Sequence, residues 1–313
     1  MAAISLEGVT KEYGDVTAVD DLDLAIDEGE VYGFLGPNGA GKSTTINILL
    51  DFVRPTSGDI SVLGMDPQAD SLAIRRRAGL LPEGFDVYGR LTARQHVEFM
   101  IDAKRATDDP DDVMERVGIA HAADRRAGGF SKGMRQRLAL GMALVGQPDL
   151  IIFDEPSTGL DPNGATEVLE IMREEKARGA TIFFSSHILG QIEAVCDRVG
   201  IMSNGRLIAE GTIDELRDAV GMHRTVTVSV DALRDDTVGA VEALDSVTEV
   251  TARDSRLTVT ATRGAETEVY ETVRETGAHV ETFTSDTGSL RELFAAFTQG
   301  ASEQTVPEQE GEA

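Results

Sequence analysis

Two kinds of apolar pattern alternate along the first two-thirds of the chain. Val31–Leu35, Leu150–Phe153 and Thr181–Ser185 are short and almost wholly apolar, as strands buried on both faces of a parallel sheet should be. Thr44–Leu50, Leu91–Lys104, Asp111–Val117 and Thr166–Arg178 read as helices; in the second, Leu91, Val97, Met100 and Ile101 can share one face. Ile4–Val9 and Val16–Ile26 open the chain as strands, and a short strand, Asp59–Leu63, lies inside the turn-rich stretch Phe52–Gly64. Leu138–Leu144 is apolar and expected to be buried. Strands alternating with helices predict an α/β sheet core, here with a helical insertion over residues 85–145.

The pattern changes near Arg217–His223. Thr225–Val230, Val247–Arg253 and Leu257–Thr262 alternate apolar and polar residues, which suits half-exposed antiparallel strands. Thr237–Leu244 and Glu266–Glu275 read as helices between them, and His279–Phe283 as a fourth strand. That order predicts a small α+β domain of the ferredoxin-like βαββαβ type, closed by a helix over Ser289–Phe297. The expected division is therefore an α/β domain at 1–220, an accessory domain at 221–298, and a disordered acidic tail at 299–313, which is polar and without periodicity.

Composition narrows the setting. A chain of 313 residues has room for two domains and a substantial core. Cys196 is the only cysteine, so no internal disulfide can form and a reducing compartment is expected. The first residues, Met-Ala-Ala-Ile-Ser-Leu-Glu, lack the basic and apolar regions of a signal peptide. No stretch approaches the roughly 18 apolar residues that span a bilayer, so the chain is expected to be soluble by itself. The net charge is −26, spread over Asp20–Glu30, Thr107–Asp112, Asp231–Glu249 and elsewhere. Such a surface repels polyanions and argues against nucleic-acid binding. It also suits a halophile, since high salt screens the self-repulsion.

Gly36-Pro37-Asn38-Gly39-Ala40-Gly41-Lys42-Ser43 fits the phosphate-loop pattern G-x-x-x-x-G-K-[ST] at every fixed position. It lies between a predicted strand and a predicted helix that opens at Thr44, the context the pattern requires. Backbone amides of Asn38 to Ser43 can wrap a β-phosphate where the helix dipole favours negative charge. Lys42 would reach the outer phosphates, and the Ser43 hydroxyl would take a place on Mg²⁺. Asp154 and Glu155 follow directly on a buried strand. Asp154 can hold Mg²⁺, directly or through water, and Glu155 is placed to orient or deprotonate an attacking water.

Phe130-Ser131-Lys132-Gly133-Met134-Arg135-Gln136-Arg137 precedes that strand. With it, residues 4–220 resemble the ATP-binding-cassette (ABC) ATPases. Ser131 to Met134 stand where that family has Ser-Gly-Gly-Gln, with Lys132 in place of the first glycine and Met134 in place of the glutamine. The variant resembles that of exporters of the drug, polysaccharide and sodium-efflux type. The resemblance implies a head-to-tail dimer of ATP-binding subunits, in which Ser131 and the Gly133 amide cap the γ-phosphate held by the opposite subunit. It further implies that Tyr13 stacks on adenine, that Asp161, in Thr158-Gly-Leu-Asp161, crosses the dimer interface, and that His187 donates to the γ-phosphate. Glu83 stands where the family has a glutamine that faces Mg²⁺ and the attacking water; a carboxylate can still accept from water, but it adds a negative charge near the γ-phosphate.

On this reading ATP and Mg²⁺ are the cofactors. The partners are a second copy of the chain and separate ABC-2-type membrane permease subunits, and the chain sits on the cytoplasmic face of the cell membrane. The small C-terminal domain would regulate or stabilise the dimer. Rival readings are a soluble ABC protein acting on DNA or ribosomes, a phosphate-loop kinase or GTPase, and an ATP-sensing protein without turnover. The first lacks the expected coiled coils or second cassette, and the second leaves the Ser131 segment and His187 without purpose.

Overall fold

In the computed structural model, residues 1–186, 188–222, 224–262, 264–287 and 290–303 are described. Strands β1 (Ala2–Tyr13) and β2 (Val16–Asp27) form an antiparallel hairpin. In β2 the buried Leu22, Leu24 and Ile26 alternate with exposed Asp21, Asp23 and Asp27, so one face seals the core and the other carries charge. Strand β3 (Val31–Leu35) is buried throughout and feeds helix α1 (Lys42–Leu49); strand β4 (Ser57–Val62) returns to pair with β1.

Helix α2 (Pro67–Arg77) leads into strand β5 (Ala78–Leu81). The helical insertion follows: α3 (Ala93–Lys104), α4 (Pro110–Arg116) and α5 (Lys132–Leu144). Each starts on a cap the sequence supplies. Thr92 and Gln95 form a capping box, Asp109 caps α4 ahead of Pro110, and Ser131 caps α5. The chain then enters β6 (Leu150–Asp154), α6 (Pro162–Arg178), β7 (Thr181–Ser185), α7 (Leu189–Val195), β8 (Arg198–Ser203) and β9 (Arg206–Gly211).

Six strands join in the order β5-β6-β7-β3-β8-β9, all parallel but the last pair. Tyr32, Phe34, Leu150, Ile152 and Phe183 fill one face of it, with the Phe34 and Phe183 rings 5.1 Å apart. The consequence for chemistry is that β5, β6, β7 and β3 all end at the same edge, where open parallel sheets bind ligands.

The chain divides into two compact units, 1–213 and 214–313, with the division just after Ile213, the first residue of helix α8 (Ile213–Ala219), where a boundary at residue 220 was expected. The second unit holds β10 (Arg224–Val230), α9 (Asp235–Glu242), β11 (Val247–Arg253), β12 (Arg256–Ala261), α10 (Ala265–Glu275), β13 (Val280–Thr287) and α11 (Leu290–Glu303). The four strands are antiparallel in the order β11-β12-β10-β13, which is the ferredoxin-like arrangement expected from their pattern. Val226, Val228, Leu257, Val259, Val269 and Val273 form its core.

One expectation about this unit is corrected. The last helix does not stop at Phe297 but runs to Glu303, so residues 299–303 are helical. Once a helix is nucleated each further residue costs little, and Gln299, Ala301 and Glu303 are good helix formers. The remainder of the expected tail, 304–313, lies outside the described residues. Among the described residues no helix is long and apolar enough to cross a membrane.

Candidate functional site

The loop between β3 and α1 is shaped by its glycines. Gly41 has φ +110°, and a Cβ there would fall 2.4 Å from the Ala18 carbonyl oxygen, so only glycine fits. Gly36 and Ala40 are buried beneath the loop, whereas Pro37, Asn38, Gly39 and Ser43 are exposed and Thr44 is half-buried. The Lys42 ammonium donates to the carbonyls of Gly36 (2.7 Å) and Pro37 (3.2 Å), which pins the side chain inside the loop. Burial lowers the Lys42 pKa, and the charges of Glu155, Asp154 and Glu83 oppose that shift. The first turn of α1 has no acidic residue of its own.

The carboxylates arrive from the neighbouring strands. Asp154 ends β6, and its Oδ2 accepts from the Ser43 hydroxyl at 3.2 Å. Its Oδ1 accepts from the Ser185 hydroxyl at the end of β7. The next residue, Glu155, leaves the strand at φ +52°, a left-handed conformation that a non-glycine residue adopts only when its surroundings impose it. Its amide is held by Ser185, through both the hydroxyl and the carbonyl oxygen at 3.2 Å each. Asp154 and Glu155 are 5% and 8% exposed, so both acids are buried.

The sequence pattern marks Ser185 only as the last residue of a buried strand. The available signal was a hydroxyl closing an otherwise apolar run one strand away from Asp154. Ser157 and Ser186 both donate to Gln191 Oε1, which ties the segments after β6 and β7 together. His187 lies outside the described residues.

The expected Mg²⁺ ligands divide. Ser43 and Asp154 share a hydrogen bond and present a hydroxyl and a carboxylate, a donor set that fits a hard cation. Among the described residues no three His, Cys, Asp or Glu side chains cluster as a metal cage. Mg²⁺ is commonly held by one or two protein oxygens, with phosphate and water completing the shell. Glu83 follows β5 on the same edge, since Leu81 is in register with Phe153. Its side chain is exposed; its charge acts on Lys42, and no described hydrogen bond links it to Ser43 or Asp154.

Tyr13 ends β1 with 48% of its surface exposed, and the Lys11 ammonium sits 4.8 Å above its ring centre. Its hairpin continues to Ala18, whose carbonyl abuts Gly41, so Tyr13 stands on the side of the phosphate loop.

Ser131, Gly133 and Asp161 form a separate group. Ser131 caps α5 by accepting from the Met134 amide, and Asp161 caps α6 by accepting from the Gly164 amide at 2.9 Å. Gln136 Nε2 donates to the Pro156 carbonyl at 2.7 Å, which docks α5 on the segment following Glu155. Both capping side chains are exposed, and no described hydrogen bond or ion pair joins them to residues 36–43. They therefore make a second exposed surface in the same unit.

An apolar groove of about 250 Å³ opens beside Glu83, lined by Leu80, Leu81, Pro82, Phe85, Met100 and Lys104. The Lys104 ammonium donates to the Val145 carbonyl at 2.8 Å, and burial pushes its pKa down to about 8 against the opposing charge of Asp108.

The chain is similar to known proteins. The family model described as ABC transporter matches residues 19–158. The daunorubicin resistance ATP-binding protein DrrA3 of Streptomyces coeruleorubidus is 36% identical over 305 residues, covering 95% of this chain and 96% of that one. A solved structure of the ATP-binding subunit of an ABC transporter is 32% identical with a TM-score of 0.66, covering 70% of this chain and 93% of its own. A dimeric ATP-binding cassette in a post-hydrolysis state with ADP and Pi has a TM-score of 0.62 at 24% identity, covering 67% of this chain and 98% of its own. At that identity it supports the fold alone.

Proposed function

Because the chain belongs to the ABC transporter ATP-binding proteins, we propose that it is the ATP-hydrolysing subunit of an exporter, working as a head-to-tail dimer on separate ABC-2-type membrane permease subunits. One observation carries the catalytic part: β3, β6 and β7 deliver the phosphate loop, Asp154-Glu155 and Ser185 to one edge, already joined by hydrogen bonds. The loop amides and Lys42 bind the β- and γ-phosphates. Glu155, buried and held at a fixed backbone angle, takes the proton of the attacking water. The water oxygen bonds to the γ-phosphorus as the bond to the bridging oxygen breaks, and ADP leaves with that electron pair. Ser43 and Asp154 would hold Mg²⁺, which supplies charge neutralisation on the phosphate oxygens.

Two features support the assembly. The exposed Ser131–Asp161 surface has no partner of its own at residues 36–43, which a second copy supplies in a head-to-tail pair. The groove beside Glu83 offers apolar surface next to the catalytic edge, a suitable seat for a membrane subunit at the cytoplasmic face. The name of the DrrA3 relative supports export of a drug-like cargo, which the membrane subunit selects. Phosphate release from ATP by the purified chain tests the reading: Lys42→Ala should abolish it. Undiminished release in that variant would contradict it.

A further inference from the structure

The five lysines differ in what holds them. Lys11 lies over the Tyr13 ring, Lys42 bonds the phosphate loop, Lys104 bonds Val145, and Lys176 pairs with Asp197. Lys132 has no hydrogen-bond or ion-pair partner among the described residues, in a chain with 55 acids and 29 lysines and arginines. Its stem is nevertheless held. Gly159, at φ +84°, is bare where a Cβ would fall 2.3 Å from Lys132 Cε and 2.4 Å from Cδ. The stem therefore lies flat on the segment that leads to Asp161.

This placement is electrostatically unfavourable for the isolated chain. Lys132 is the first residue of α5, where the helix end is itself partly positive, and the first turn has no acid to offset it. The nearby Arg135 has Asp86 at 3.3 Å; Lys132 has nothing comparable. The nucleotide edge has the opposite imbalance. Lys42 is one cation in the field of Glu155, Asp154 and Glu83, before a triphosphate adds its own negative charge. One surface carries a cation with no described ion-pair partner, and at the other the acids outnumber the cation.

We propose that Lys132 is a catalytic residue supplied in trans: in the ATP-closed dimer its ammonium contacts the γ-phosphate bound to the partner's phosphate loop. This rests on the composite-site reading above. As the γ-phosphorus leaves the bridging oxygen and bonds to water, the ammonium donates to the γ-phosphate oxygens whose charge the surrounding acids oppose. The proton of the water still goes to Glu155. Lys132 moves no proton.

The test uses the full chain with MgATP. Lys132→Met keeps the stem and removes the charge; it should lower kcat about ten- to hundredfold, with a smaller effect on KM. Lys132→Arg should keep most of the rate. The nucleotide-free Tm of Lys132→Met should be unchanged or higher, since a cation leaves a positive helix end. A second readout is independent of turnover: in a Glu155→Gln background, Lys132→Met should raise the ATP concentration for half-maximal dimer about tenfold.

Wild-type turnover and dimerisation in Lys132→Met, with both lost in Ser131→Arg, would overturn the role of Lys132 and leave the composite site standing. Equal loss in the Met and Arg variants, or a fall in Tm alongside kcat, would assign Lys132 to packing. Unchanged turnover and ATP-driven dimerisation in Ser131→Arg would remove the composite site itself.

Discussion

The Ser185 hydroxyl bonds the Asp154 carboxylate across two neighbouring parallel strands, at the point where both strands end. Asp154 thereby keeps its other oxygen turned to Ser43. Ser185→Ala should leave the fold intact and lower kcat about tenfold, the loss expected if Asp154 holds Mg²⁺ as proposed and is deprived of the partner that orients it. The KM for ATP should change little, since the phosphate loop is untouched. Steady-state kinetics on the purified variant will check this.

A buried ion-pair cluster ties the helical insertion to the sheet domain. Glu175 on α6 is 1% exposed, with Arg116 of α4 at 2.6 Å and Arg178 at 2.6 Å on its two oxygens. Removing the acid takes the buried partner from both guanidinium groups, leaving Arg116 with the exposed Glu174 and Arg178 with the Pro148 carbonyl. Glu175→Gln should cost about 3 kcal/mol, at the lower end for a broken buried pair because both arginines stay partly exposed. Urea unfolding gives the value directly.

Lys104 should leave a signature in the pH dependence of stability. It is protonated below about pH 8 in the folded chain, but up to its ordinary value of 10.5 when unfolded. Between those values the unfolded chain binds the extra proton, so the stability of the wild type rises with pH across that window. Below about pH 8 the half-buried ammonium is a constant cost. Lys104→Met should therefore be more stable than the wild type at pH 7, and the gap should narrow between pH 8 and 10. Thermal melts of the pair across that range will show it.

Much of this site is legible in the chain because its parts are contiguous. The phosphate loop is eight consecutive residues, and Asp154-Glu155 directly follow four apolar ones. Other parts depend on register between distant segments. Ser185 meets Asp154 only because β6 and β7 are in register, and the two are 31 positions apart. The left-handed backbone at Glu155 leaves no mark in residue type. Strand β9 escapes pattern reading because its apolar residues are only half-buried. Lys104 looks like a solvated end to α3, yet it is half-buried and its ammonium donates to the Val145 carbonyl just past α5. The ferredoxin-like unit is easier to read, since a sheet with one open face writes its alternation into the sequence.

Glu155→Gln, mixed with ATP and weighed by sedimentation, bears most directly on the claim that ATP binding joins two copies and that Glu155 then spends the nucleotide. The account predicts a particle of twice the chain mass with ATP, a monomer with ADP, and no phosphate release. A variant that still turns over ATP at the wild-type rate, or that stays monomeric at saturating ATP, contradicts it.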